Sequence, residues 1–140
     1  VCFYLTSKYG IEQIESNICP ENLPLLLDGE YEYLESWCGS HGPWGGVHGW
    51  KNEKGNYLTI RFRKVTTIKS LTMYAYKQKL PDSFCFTGRN RRGSWIPLVA
   101  IKSADGKFIF DNVDLIALKI EIADDATQCE WVLTELGINE

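Results

Sequence analysis

The run Tyr57-Leu58-Thr59-Ile60-Arg61-Phe62-Arg63 alternates apolar and polar residues without a break. Only an extended chain places residues two apart on the same face, so Leu58, Ile60 and Phe62 are expected to be buried and Thr59, Arg61 and Arg63 solvated. Other segments point the same way. Ile68 to Tyr76 is rich in β-branched and aromatic residues, the side chains that fit a pleated surface. Ser83–Thr87 and Ser94–Ile101 flank the turn Gly88-Arg89-Asn90-Arg91-Arg92-Gly93 and predict a hairpin. Lys107–Phe110, Leu115–Ile122 and Trp131–Ile138 complete the set, separated by turn signals such as Ala104-Asp105-Gly106. Only Gly10 to Asn17 reads as a helix, and a short one. About seven or eight strands without long helices predict an all-β sandwich or barrel. At 140 residues, 1–140 is expected to form a single domain with a sizeable core.

The stretch from Ser36 to Trp50 is of another kind. It holds three of the five Trp, both His, five Gly and Pro43. So many Gly exclude a packed helix, and Pro43 excludes a central strand. It is therefore a loop carrying indoles and imidazoles, a composition suited to recognition, because Trp offers a broad apolar face and one N–H donor at low entropic cost. The competing reading is that one or two of these Trp cap the core.

Composition narrows the classes. Hydrophobic residues make up 44% and charged residues 24%, ordinary for a globular domain, and no apolar run reaches membrane-spanning length. A chain beginning at Val1 reads as mature or excised, compatible with a removed signal peptide. A net charge of −3 argues against nucleic acid as a partner. Residues 1–50 carry seven acidic residues and one basic residue, Lys8, while Lys and Arg concentrate between Lys51 and Lys107. The tail from Phe108 is acidic again, with Lys119 its only basic residue. Mutual neutralisation of these thirds is favoured over a functional field. The five cysteines (Cys2, Cys19, Cys38, Cys85, Cys129) lack zinc spacing. They fit two disulfides and a free thiol in a secreted chain, with Cys2–Cys129 one attractive pair, or reduced thiols inside a cell. Cys85 is expected to be a buried core thiol if Phe84 and Phe86 face outward.

Catalytic constellations are missing. His41 and His48 lie seven apart on a loop, and no Ser-His-Asp, Cys-His or paired-carboxylate pattern accompanies them. The turn Arg89-Asn90-Arg91-Arg92 could grip phosphate, sulfate or an acidic protein. Its plainer reading is three charges that keep a hairpin tip soluble.

The order of motifs resembles a known family. Asn22-Leu23-Pro24-Leu25-Leu26-Leu27-Asp28-Gly29, a Trp shortly after, then the strand from Tyr57 to Phe62, resembles the opening of a discoidin (coagulation-factor type C) domain. Phe84-Cys85-Phe86-Thr87-Gly88 followed by Gly93-Ser94-Trp95-Ile96-Pro97-Leu98 is similar to that family's strand and glycine–x–tryptophan hairpin. Ile116–Ile122, then Leu133–Ile138, is similar to its closing strands. The long loop after Asp28 departs from the family.

The resemblance implies a galactose-binding-like jelly-roll β-sandwich of about eight strands. It further implies a non-catalytic, lectin-like module, secreted or on the cell surface, that meets a glycan or glycoprotein through loops at one end. Carried over by position, those loops are Trp37–Trp50, Tyr76–Asp82 and Ala123–Glu130. Trp44 or Trp50 would stack under the apolar face of a galactose-like sugar, His41 and His48 would bind its hydroxyls, and Tyr76, Lys77 and Lys79 would flank it. Many sugar-binding members hold a structural calcium; the matching positions are Asp28 and Glu135, with Glu30 nearby, although Tyr33 or a neighbour replaces the family's hydroxyl-bearing residue. The alternative is a protein-interaction or adhesion module using the same loop as its contact patch. A membrane surface is disfavoured, because the aromatic loop has no Lys or Arg before Lys51.

Overall fold

The structure is a computed structural model that describes residues 3–5, 8–17, 27, 55, 57–75, 84–104, 106–123 and 133–140. These residues form eight strands: β1 (Phe3–Leu5), β2 (Ile11–Ser16), β3 (Tyr57–Ala75), β4 (Phe84–Arg89), β5 (Trp95–Leu98), β6 (Ile101–Ala104), β7 (Lys107–Ile122) and β8 (Leu133–Ile138). One 3₁₀ turn, Lys8–Gly10, precedes β2. The all-β expectation holds, and every pairing is antiparallel.

Two strands are far longer than expected. The alternating run at 57–63 and the β-rich segment from Ile68 are one strand, β3, and the two predicted segments 107–110 and 115–122 are one strand, β7. They pair with each other in two stretches. Tyr57–Arg61 runs against Glu121–Ala117, and Thr66–Thr72 against Leu115–Lys107. Between the stretches β3 carries residues 62–65 where β7 carries only Ile116. Extra residues on one strand bend and twist it. Each half then recruits different neighbours. The first half of β3 takes β2 and, through it, β1, while the second half of β7 takes β4 and then β5. The second half of β3 takes β8, and the first half of β7 takes β6. The result is two layers joined through two shared strands.

Their inward faces close one core. Leu58, Ile60, Phe62, Leu118, Ile120, Ile122 and Phe86 come from the first layer, and Leu71, Met73, Phe110, Leu136 and Ile138 from the second. The inward face read from the alternation at 57–63 is therefore correct. Ile68 and Leu71 are both buried although they lie three positions apart, because a register shift between Ile68 and Ser70 flips the side-chain parity. Phe86 packs against Phe108 and Phe110 at ring separations of 5.0 and 5.3 Å, extending the core under the hairpin.

Two expectations are corrected. Gly10–Asn17 is not a helix: Ile11–Ser16 is strand β2. Ile11 and Ile14, three apart as on a helix face, are both buried, and a bulge between Ile11 and Gln13 produces that spacing in a strand. Cys85 is an exposed free thiol, not a core one, because Phe86 takes the inward position beside it. The predicted hairpin is present, with Phe86 opposite Leu98 and Arg89 opposite Trp95. The segment 94–101 divides, however: β5 belongs to the first layer and β6 pairs with β7 in the second. Pro97 is tolerated because β5 is an edge strand.

Gly88 on β4 packs directly against the core. A Cβ there would lie 2.5 and 2.8 Å from the methyls of the fully buried Leu115 and 3.1 Å from Leu98. Gly88→Val is expected to lower the unfolding free energy by about 1–3 kcal/mol, as overpacking does, with an unchanged denaturant m-value. A variant as stable as wild type in urea unfolding would show that Leu115 has room to move.

Candidate ligand-binding end and its anchors

The segments bearing the expected ligand contacts begin and end on neighbouring strands. Ser16 and Asn17 lead into the longest connection, and Tyr57 follows it; Ser16 pairs with Leu58, and Tyr57 with Glu121. Phe84, which follows the second connection, pairs with Ile122, which precedes the third. The far ends of the second and third connections, Ala75 and Leu133, are themselves a pair in the other layer. All three connections thus depart from one edge of the first layer and from one β3–β8 pair.

That edge is tightly held. The Asn17 side-chain carbonyl accepts from the Tyr57 N–H at 2.9 Å, and the buried Ser16 hydroxyl donates to the Tyr57 carbonyl at 2.9 Å. The Gly55 N–H donates to the Ile122 carbonyl at 3.0 Å. The Lys119 ammonium sits 4.8 Å from the Tyr57 ring centroid, a cation–π distance. Phe84 stands edge-on to Phe108 at 5.9 Å. These contacts fix the strand ends from which the connections leave.

The residues expected to touch a ligand, His41, Trp44, His48, Trp50, Tyr76, Lys77 and Lys79, lie outside the described residues, as does the third loop at 124–130. Tyr76 directly follows Ala75, the last residue of β3. The structure therefore describes the strand ends from which these segments leave.

Glu135, one of the two expected calcium positions, is described. Its side chain on β8 is fully buried and its Oε2 lies 3.2 Å from the Lys8 Nζ. The same ammonium donates to the Leu27 carbonyl at 3.1 Å and lies 5.4 Å from the centroid of the Tyr9 ring. Asp28, one residue beyond Leu27, and Glu30 are outside the described residues. Calcium needs six to eight oxygen ligands. Among the described residues no group of three or more carboxylate, imidazole or thiol side chains is placed to hold a metal. Glu135 faces an ammonium, so Lys8 stands beside the carboxylate at the expected calcium position. Sequence reading overlooked Lys8, although its standing as the only basic residue in the first fifty was a signal.

The basic turn is largely occupied with its own structure. Asn90 Oδ1 accepts from the N–H groups of Arg92 and Ser94, each at 3.0 Å, and Gly93 adopts a φ of +83° to close the loop. The Arg89 Nε donates to the Gly93 carbonyl at 3.0 Å, and Arg91 pairs with Asp114 at 3.2 Å. That pair and Arg61–Glu12 at 3.4 Å join the basic middle of the chain to its acidic flanks, the mutual neutralisation expected from the charge distribution. Both pairs are exposed and contribute little individually.

No protein-family model matches the chain, and no curated protein matches it. Solved structures do. A two-domain protein of unknown function from Bacteroides fragilis superposes with a TM-score of 0.61 at 18% identity over 96% of this chain, which spans only 46% of that protein. A CBM32 module produced by Clostridium perfringens gives 0.57 at 13% identity, covering 95% of both chains. The CBM32 of AlyQ, solved in complex with 4,5-unsaturated mannuronic acid, gives 0.53 at 15% identity, covering 89% of this chain and 92% of that one. The fold is the jelly-roll β-sandwich of these carbohydrate-binding modules. At such identities the likeness is one of architecture.

The hairpin geometry yields a test of what the basic turn is for. Asn90→Ala is expected to cost about 1 kcal/mol in urea unfolding, through two lost backbone partners, while Arg92→Ala changes stability by less than about 0.5 kcal/mol. Equal effects for the two would contradict a turn built on the Asn90 side chain.

Proposed function

We propose that this chain is a non-catalytic carbohydrate-binding module that recognises a galactose-like glycan through the loops at one end of its jelly roll. The observation that carries the reading is the gathering of strand ends. The connections bearing His41, Trp44, His48 and Trp50, and Tyr76, Lys77 and Lys79, start and finish on a few adjoining strand ends braced by Asn17, Gly55, Tyr57 and Phe84. The chemistry of those residues suits a sugar. An indole stacks on the C–H face of a pyranose, and imidazole, phenol and ammonium groups satisfy its hydroxyls once water leaves. Similarity of fold to the CBM32 structures supports the same reading. The setting we infer is a secreted or surface protein, where glycans and glycoproteins are met. Neither a catalytic pair nor a cofactor enters this function.

A glycan array tests it. Wild-type protein is expected to bind a galactose-bearing subset, and Trp44→Ala or Trp50→Ala to weaken binding to the best of them at least ~10-fold, as loss of an aromatic hot spot does. An array without binding, beside a pull-down that captures a protein through the intact 36–50 loop, would instead favour the adhesion reading.

A further inference from the structure

A carboxylate taken wholly out of water needs a cation, and the identity of that cation decides whether a fold depends on metal. Glu135 is such a group: its side chain is fully buried at the heart of β8, between Leu136 and the β3 partner Tyr74. The Lys8 ammonium reaches it at 3.2 Å from the turn before β2, although 127 residues separate the two in sequence. The contact is more than a pairwise attraction. An ammonium has three N–H donors, and at Lys8 one goes to Glu135 Oε2 and another to the Leu27 carbonyl at 3.1 Å. The Tyr9 ring beside it lies within the ~6 Å at which an aromatic face attracts a cation. Oxygen atoms from two remote segments thus converge on one positive centre, the arrangement a metal would otherwise organise. A divalent ion placed there would meet the ammonium charge at close range.

We propose that the ε-ammonium of Lys8 is the resident cation of this fold. It neutralises Glu135 and fastens the connection containing Leu27 to β8, so the domain is held together without calcium. The proposal concerns the scaffold and stands whether or not the chain binds a glycan.

Thermal unfolding of the full chain tests it in two arms. In the first, wild-type protein is unfolded in millimolar EDTA and in millimolar calcium chloride. The Tm is expected to be the same in both, whereas a rise of several degrees with calcium, the mark of a ligand that binds only the native state, overturns the proposal. In the second, Lys8→Met removes the ammonium from beside the buried carboxylate and is expected to lower Tm by roughly 10 °C, and Glu135→Gln added to it to restore a large part of the loss. A Lys8→Met protein with wild-type Tm, or a double variant no better than the single, contradicts the assignment. Should Lys8→Met not fold at all, the calcium arm decides alone.

Discussion

Tyr57–Ala75 and Lys107–Ile122 hydrogen-bond to each other along most of their lengths, and every other strand attaches to one of them directly or through one intermediary. Because the same two strands serve both layers, the sandwich is one folded ladder. The bend at residues 62–65 opposite Ile116 decides which side chains meet in the core. Without it Leu58 and Leu71 would lie far apart on an extended surface; with it they share one cluster. Burial of those side chains, at roughly 1.5–3 kcal/mol each, is the main favourable term for this core. The positions from which the loops leave follow from the same bend.

The sequence revealed periodicity well and its interruptions poorly. Leu58, Ile60 and Phe62 could be assigned inward because seven residues alternate without a break, and the hairpin could be placed because a Gly- and Asn-bearing turn separates two apolar runs. Where a bulge intervenes, the period-two rule fails. Ile11 and Ile14 share a face by virtue of an extra residue on β2, and the same three-residue spacing is what a helix would show. Cys85 illustrates a milder ambiguity, since in Phe84-Cys85-Phe86 either parity buries apolar atoms, and packing of Phe86 on Phe108 and Phe110 settles it. At the candidate site, the composition at 36–50 is what suggests recognition chemistry, and those residues lie outside the described ones, whereas the anchors did not stand out. Asn17 and Ser16 bond to Tyr57 some forty residues away, and Lys8 reaches across almost the whole chain to Glu135. Contacts of that span leave no local pattern to detect.

Polar side chains secure what the apolar core leaves loose. Glu140 accepts from the hydroxyls of Tyr9 at 2.8 Å and Tyr74 at 2.7 Å, and Asn139 bonds to the backbone of residues 67, 69 and 70. Together with Lys8–Glu135 these bonds tie the segment before β2, the second half of β3 and the segment after β8 into one corner. Tyr9 itself sits at a φ of 56°, uncommon for a bulky residue, and its hydroxyl and ring both take part in that corner.

Native-state hydrogen exchange tests the shared-strand account most directly. Amides of Leu58, Ile60 and Leu118 in the first layer and of Leu71 and Met73 in the second are expected to exchange only by global unfolding, with one common free energy. Two distinct opening energies, one for each half of β3, would show the layers to be separate cooperative units and would contradict it.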